Sequence, residues 1–327
     1  MTEENKLKEL YEQKFLPILK KVEQGYQAKK RSERQIVISI ILMIVSWIPP
    51  VIFLSGITLM IVITCEMIIG AVVINSFYFE SQHNDYNDTY QKQIIKPVLS
   101  LVMPAWHYHF DQTMSQEKFD QSQLIRKSFS CYNGYNLISG PLENGSFEFS
   151  RIHLEERKES DDEYCSIDVF QGLLLIITCK RSFPEQMFIT PRDKLRNFTP
   201  LEEKGKNWFA KSKEIPPLEL HRSAFDDQFA IHVLPPPDQT LPVPQSLIDA
   251  LLTFKQKYPC DLALSFIDNK VYCTIGTKIK NLFTPGVGLF GIQYSTIKAA
   301  QDQILMVNEF LNVLDTNIHL WDKNTTN

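Results

Sequence analysis

The chain has 327 residues, of which 44% are hydrophobic and 22% are charged, so it can bury a core of substantial size. Its formal net charge of −4 provides no excess of lysine and arginine, and we therefore expect no nucleic-acid partner. The six cysteines contain no Cys-x-x-Cys pair, which favours reduced, mostly buried thiols over disulfides or a zinc site. They are Cys65, Cys131, Cys165, Cys179, Cys260 and Cys273.

Residues 1–35 form a charged lead in which apolar side chains recur at helical spacing, with lysines on the other faces. The apolar positions are Leu7, Tyr11, Phe15, Ile18, Val22 and Tyr26. This pattern predicts a basic amphipathic helix, interrupted at Pro17, that either lies on anionic lipid or packs against the soluble domain. A signal peptide is not expected, because the lead is too long for an n-region and no small-residue cleavage site follows the apolar run.

Residues 36–79 are almost entirely apolar. A single helix over this run would be roughly 66 Å long, far more than a hydrocarbon core of about 30 Å, so the run is expected to fold back. Pro49-Pro50 and Ser55-Gly56 lie near its middle and interrupt the helix there. The sequence predicts a transmembrane hairpin with spans Ile36–Leu54 and Ile57–Phe79, although the double proline leaves a re-entrant hairpin open.

Basic residues crowd the approach to the first predicted span. They are Lys20, Lys21, Lys29, Lys30, Arg31 and Arg34. Because lysine and arginine near membrane ends stay on the cytoplasmic side, both termini and residues 80–327 are predicted to be cytoplasmic. The expected location is the bacterial cytoplasmic membrane, with membrane lipid as one partner.

Glu66 is the only formal charge in the apolar run and lies near the centre of the second span. An ionisable side chain at that depth is a candidate functional residue, because it is costly to bury there without a partner. The favoured interpretation is a protonated acid hydrogen-bonded within the hairpin, for example to Ser46 or Thr64. A small oligomeric pore that uses Glu66 is the alternative.

Residues 80–327 predict an α+β domain, mostly antiparallel β, that ends in a long helix. A helix is expected over Tyr86–Met103 and another over Pro244–Tyr258. The strand-like runs are Ser128–Ile138, Ser146–Leu154, Tyr164–Cys179, Gln228–Leu234, Leu262–Ile267 and Val271–Ile275. Asp268-Asn269 predicts a hairpin turn, and the charged stretch Glu155–Glu163 is interpreted as a solvated loop.

The C-terminal helix carries apolar residues at alternating spacings of three and four. They are Ile297, Ala300, Ile304, Val307, Leu311, Leu314, Ile318 and Trp321. Met306, Phe310 and Val313 widen this stripe beyond a simple coiled-coil seam, which favours docking of the helix across the sheet. A homodimer through this helix is the second interpretation.

Three patterns that resemble functional sites are rejected on context. His107, His109 and Asp111 alternate as metal ligands on a strand would, but Gln112 stands where the fourth ligand of a His-x-His-x-Asp-His motif belongs. Gly286–Gly291 matches a dinucleotide fingerprint but has no second strand after its helix. Asp226 and Asp227 are interpreted as a solvent-exposed entry to a strand. No catalytic residue, cofactor or metal site is predicted.

Several short motifs occur together in one order and spacing. They are Gly145–Ser150, Phe170–Leu174, Phe225–Phe229 and Leu314–Trp321, after two N-terminal spans. In this organisation the chain resembles the domain-of-unknown-function family numbered 3137, bacterial membrane proteins of unknown function. It departs from that pattern at Tyr132–Asn136, in place of an acidic turn, and at the proline-rich Pro235–Gln239. The resemblance implies a bacterial membrane location and lends no catalytic residue.

The function predicted from these patterns is a membrane-anchored cytoplasmic interaction or regulatory module. Its partner would be another membrane or cytoplasmic protein. The alternatives are a membrane-bound enzyme with an unrecognised site and the small pore that uses Glu66.

Overall fold

The computed structural model describes residues 8–9, 11–20, 90–125, 127–160, 163–180, 182–183, 185–192, 202–203, 213–214, 217–234, 243–276, 283 and 294–324, without the side chains of 158–160, 163–165, 202–203, 213–214, 223 and 318–324. The predicted hairpin at 36–79, with Glu66, lies outside these residues, as do Gly286–Gly291 and Pro235–Gln239. Within the described ranges no helix combines the length and the apolar character needed to cross a membrane.

The chain divides into two compact units. The first comprises Met1–Val98 and Phe283–Ala300, and the second comprises Leu99–Leu282 and Gln301–Asn327. The helices are α1 (Lys96–Val102), α2 (Gln116–Ser122), α3 (Ser223–Asp226), α4 (Gln245–Lys257) and α5 (Tyr294–Asn324), with π-helical segments at Tyr11–Phe15 and Gln91–Ile95. Residues 8–9 and 16–20 are also helical.

Both π-helical segments of the first unit end two residues before a proline. Tyr11–Phe15 precedes Pro17, and Gln91–Ile95 precedes Pro97. A proline ring clashes with the carbonyl four residues earlier in an α-helix, and a wider π-turn moves that carbonyl away. In the second segment the Lys96 N–H bonds to the Gln91 carbonyl, five residues back, as this geometry requires.

The predicted amphipathic lead is helical where it is described and buries one stripe. Phe15 is 0% exposed and Leu19 6%, one helical turn apart. The Tyr11 ring lies edge-on to the ring of Tyr294 in α5, with centroids 5.3 Å apart. These contacts support the interpretation that this helix packs within the folded protein.

The second unit is built on an antiparallel sheet with eight strands in the order β1-β2-β3-β4-β10-β9-β5-β8. Its strands are β1 (His107–His109), β2 (Cys131–Leu142), β3 (Gly145–Ser160), β4 (Glu163–Cys179), β5 (Gln186–Pro191), β8 (Phe229–Leu234), β9 (Asp261–Ile267) and β10 (Lys270–Gly276). A separate two-stranded pair joins β6 (Glu202–Glu203) to β7 (Lys213–Glu214). The predicted antiparallel β architecture with a long C-terminal helix is confirmed.

Helix α2 packs on one face of this sheet. Lys118 reaches a β3 carboxylate, Glu148, at 2.6 Å, and the Ser265 hydroxyl of β9 donates to the carbonyl of Ser122 at 2.6 Å. Between these contacts lies a core of apolar side chains. Its buried members are Met114, Phe119, Leu124, Ile125, Ile152, Leu154, Val169, Leu174, Ile176, Phe188, Ala263, Ile267 and Tyr272.

The opposite face is also covered over the centre of the sheet. Leu173 and Leu175 of β4 are each 1% exposed, so this strand is buried on both faces as its continuous apolar run predicts. The Trp106 ring packs edge-on against Phe147 and Phe149 of β3 at 4.8 and 5.9 Å. A Cβ added at Gly172 would lie 2.2 Å from the Ile275 carbonyl of β10, which explains a glycine at this crossing.

Helices α4 and α5 pack against each other. The rings of Phe254 and Phe310 lie 4.6 Å apart, and Glu309 accepts hydrogen bonds from Lys257 at 2.7 Å and from the Tyr258 hydroxyl at 2.9 Å. The seam positions of α5 from Ile297 to Leu314 are buried in the single chain. Side chains predicted to form a dimer seam are therefore already covered there, and the homodimer stays a prediction.

The departure from the family pattern at Tyr132–Asn136 lies in β2 and contains a bulge. Tyr135 pairs with Arg151 and Ile138 with Phe149, so two residues of β2 oppose one of β3. Asn136 takes the left-handed conformation, with φ of 63°, which asparagine tolerates better than most residues.

The prediction of a solvated loop at Glu155–Glu163 is wrong. Strands β3 and β4 continue through it and pair as far as Ser160 with Glu163. The charged composition suggests a loop, but pairing between β3 and β4 sets the backbone conformation of these residues. Strands β1 and β5 and helix α2 were not predicted, because each is short and carries little periodic signal.

Candidate functional site

Strands β3 and β4 extend beyond their neighbours as a two-stranded ribbon. Among the described residues, β10 pairs with β4 only from Gly172 onward, and β2 pairs with β3 only as far as Glu155. Ser130, the residue before β2, also contacts β3, because its hydroxyl accepts a hydrogen bond from the backbone N–H of Arg157 at 2.8 Å. Residues 156–160 and 163–168 thus form a projecting hairpin, which we call the β-arm.

Three potential metal-ligating side chains meet at the base of the β-arm. His153 and Glu155 are two residues apart on β3 and so share one face, and Asp168 lies opposite on β4. One ligand atom from each lies within 4.8 Å of the others. Among the described residues this is the one such group of three.

A bulge in β4 puts Asp168 on the face of His153. Leu154 pairs with Phe170, and the next residue, Glu155, pairs with Asp168, so Val169 is an extra residue. In regular pairing Val169 would oppose Glu155, and Asp168 would point to the other face. Bulges often re-aim a side chain beside functional sites. Here the bulge leaves Val169 buried in the core on the α2 face and turns Asp168 away from that core.

The three side chains are connected by polar contacts and partly open to solvent. His153 Nε2 lies 2.7 Å from Asp168 Oδ1 and 4.0 Å from Glu155 Oε1. The Ser166 hydroxyl of β4 donates to Glu155 Oε1 at 3.0 Å and fixes that carboxylate. The side chains of His153 and Glu155 are 27% and 25% exposed and that of Asp168 is 66% exposed, so a ligand from solvent can reach all three.

Arg151, on the same strand face, is buried at 6% exposure, and its guanidinium lies over the Tyr135 ring at 5.0 Å. Burial lowers its pKa below the ordinary value. The face of β3 thus runs from the apolar Phe147 and Phe149, through a buried arginine, to the polar cluster.

A separate cleft of about 700 Å³ lies at the end of α4. It is lined by Ala224, Gln228, Leu252, Lys255, Gln256, Pro259, Cys260, Asp261 and Gly276. Burial, reinforced by the charge of Asp261, raises the pKa of the Cys260 thiol to about 11. A thiol that stays protonated at neutral pH is a poor nucleophile.

The sites weighed in the sequence do not assemble among the described residues. His107 and His109 lie exposed on β1, but the strand ends there and Asp111 falls in the turn that follows. Asp226 accepts from the backbone N–H groups of Arg222 at 2.8 Å and Leu220 at 3.4 Å, so it holds a turn together. This acid is half-buried, and its interpretation as merely solvent-facing is corrected.

The described cysteines are free thiols. Cys179 and Cys273 are buried, and Cys131 and Cys260 are half-buried. Complete burial raises the pKa of Cys273 well above its ordinary value.

A family model described as "Protein of unknown function (DUF3137)" matches residues 168–315. The match supports the resemblance seen in the sequence from β4 into α5, and it assigns no activity. It begins at Asp168, so it includes one of the three side chains at the base of the β-arm. No curated protein and no solved structure matches the chain.

Proposed function

We propose that this protein is a membrane-tethered cytoplasmic binding module of a bacterial cell, and that its β-arm pairs with a strand of a protein partner. The observation that carries the proposal is the outer edge of β4. In the described part of the chain this strand has no neighbour on that side from Glu163 to Gln171. No described residue pairs with the N–H and C=O groups on this side, and such groups form a template for a further strand.

The side chains of the β-arm fit such a role. Ile167 is 36% exposed, and among the described residues it is the one large apolar residue that counts as exposed. An apolar side chain beside open backbone groups gives an added strand both hydrogen bonds and a contact that selects its sequence. Around it the β-arm is charged, with Glu156 and Arg157 on the facing strand, which discourages unspecific pairing.

The proposed membrane attachment rests on features of the sequence. The apolar run at 36–79, its central prolines and the basic residues before it support a two-span anchor with both termini in the cytoplasm. Reporter fusions at Met1 and Asn327 should both report the cytoplasm, and the chain should stay in the membrane after alkaline extraction. A C-terminal reporter active outside the cell, or release by alkali, would contradict the tether.

Binding through the β-arm is tested by photo-crosslinking in intact cells. A photo-reactive amino acid replaces Ile167 in the full chain, and a matched variant carries it at Thr253, an exposed position on α4. We expect a discrete protein adduct at position 167 and none at 253. Proline at Ser166, which distorts β4, should abolish the adduct. Equal labelling at both positions, or no adduct at 167, would overturn the proposed surface.

A further inference from the structure

We infer that His153, Glu155 and Asp168 bind a divalent first-row transition ion at the base of the β-arm. The site depends neither on the membrane anchor nor on a protein partner, so its test can fail while the proposed function stands. The site consists of three donors on two neighbouring strands.

The separations of the donor atoms suit one ion. A tetrahedral ion with bonds of about 2.1 Å holds its ligand atoms roughly 3.4 Å apart. The distances from His153 Nε2 to Asp168 and Glu155, 2.7 and 4.0 Å, lie on either side of that value. All three ligand atoms lie within 4.8 Å of one another, so rotations of these partly open side chains would bring them to similar separations.

The two carboxylates at this position, Glu155 and Asp168, favour binding of a cation. Register places Glu155 and Asp168 directly opposite each other on neighbouring strands, where like charges are destabilising. Without the Val169 bulge the two carboxylates would lie on opposite faces, so the strand irregularity creates the repulsion. The 2.7 Å contact between His153 Nε2 and Asp168 Oδ1 offsets part of it, and a divalent ion that replaces the proton shared by these atoms would neutralise both carboxylates.

The donor types select the class of ion. Mg²⁺ and Ca²⁺ prefer oxygen ligands alone, whereas one imidazole nitrogen with two carboxylates suits Zn²⁺, Mn²⁺, Fe²⁺ or Co²⁺. The Ser166 hydroxyl donates to Glu155 Oε1, the oxygen that lies 4.0 Å from His153 Nε2, and so orients this carboxylate as outer partners of metal ligands do. With Asp168 66% exposed, the remaining coordination positions face solvent and would hold water or a small ligand.

The test uses tag-free, full-length protein in detergent. Zn²⁺ binding is measured by titration calorimetry, and Co²⁺ binding by its visible absorption, which reports coordination number and nitrogen ligation. We expect one ion per chain. Loss of an outer partner of a metal ligand costs about 10–100-fold in affinity, so Ser166→Ala should weaken binding by about tenfold. His153→Gln and Asp168→Asn remove a ligand itself and should weaken binding by about 10–100-fold or more.

The control variants are His109→Gln and Asp111→Asn, which remove exposed donors of the same types outside the cluster. They should bind both ions as the parent does. Thermal unfolding verifies that every variant is folded, and Zn²⁺ should raise the melting temperature of the parent but not of Asp168→Asn. The assignment is overturned if neither ion binds, if the cluster variants bind unchanged, or if His109→Gln weakens binding equally.

Discussion

Strand β4 belongs to two different environments along its length. From Gly172 to Ile177 every residue is buried, between β3 and β10 and with both faces covered. From Ser166 to Asp168 every residue is exposed, and β3 is the one described neighbour. The same backbone conformation thus serves a core in one half and a surface in the other.

The residue types change where the environment changes. The buried half reads Gly-Leu-Leu-Leu-Ile-Ile, which needs apolar packing on both faces. The exposed half reads Ser-Ile-Asp, and the bulge at Val169 separates the two. We conclude that stability is concentrated in the first half and that ligand and partner contacts are expected in the second.

The largest expected effect is that of truncating a side chain in the buried half. Leu175 is 1% exposed and pairs with Phe149 and Cys273 on its two sides. Leu175→Ala should lower the free energy of unfolding by about 2–5 kcal/mol, because it removes apolar contacts and leaves a cavity. Urea unfolding of the full chain in detergent measures it. A loss below about 1 kcal/mol would contradict a core centred on β4.

A medium effect is expected for the hydroxyl that ties β2 to the segment before α2. Tyr132 donates to the Met114 carbonyl at 2.9 Å, so Tyr132→Phe should cost about 0.5–1.5 kcal/mol at neutral pH. Burial raises the pKa of Tyr132 from 10.0 to about 12. A raised tyrosine pKa means that its contribution is fully present below pH 10 and is lost as the pH rises toward 12.

The two proteins should therefore differ most below pH 10. Melting temperatures of the parent and of Tyr132→Phe, measured from pH 8 to about pH 12, should converge at the alkaline end. A difference that is independent of pH would show that the hydroxyl is not buried in the folded protein.

The smallest effect on stability is expected in the β-arm. Ile167→Ala should change the free energy of unfolding by no more than about 0.5 kcal/mol, because this side chain already contacts water. The same variant should reduce formation of the partner adduct when the photo-reactive group is placed at neighbouring Ser166. A strongly destabilised Ile167→Ala would mean that the β-arm is part of the core.

The core half of β4 could be predicted from the sequence. A continuous apolar run from Gly172 identifies a strand buried on both faces, and Asp268-Asn269 identifies the hairpin between β9 and β10. Helix α4, predicted over Pro244–Tyr258, occupies Gln245–Lys257. These elements carry strong local signals, which tertiary contacts then reinforce.

The exposed half and its cluster could not be predicted in the same way. The charges after Glu155 suggest a loop, and only pairing between β3 and β4 makes them strands. His153 and Glu155, two residues apart, offered a weak signal for ligands on one strand face. The sequence could not show that Asp168 lies beside them, because the bulge at Val169 is visible only in the register of the two strands.

The division of β4 is tested most directly by hydrogen–deuterium exchange of the full chain, once purified in detergent and once in native membranes. We predict that amides of 172–178 are strongly protected in both preparations. Amides of 163–168 should exchange quickly in the purified protein and gain protection in native membranes, where the proposed partner strand would pair with them. Equal protection of both halves in the purified protein, or no gain in the β-arm in membranes, would contradict the account.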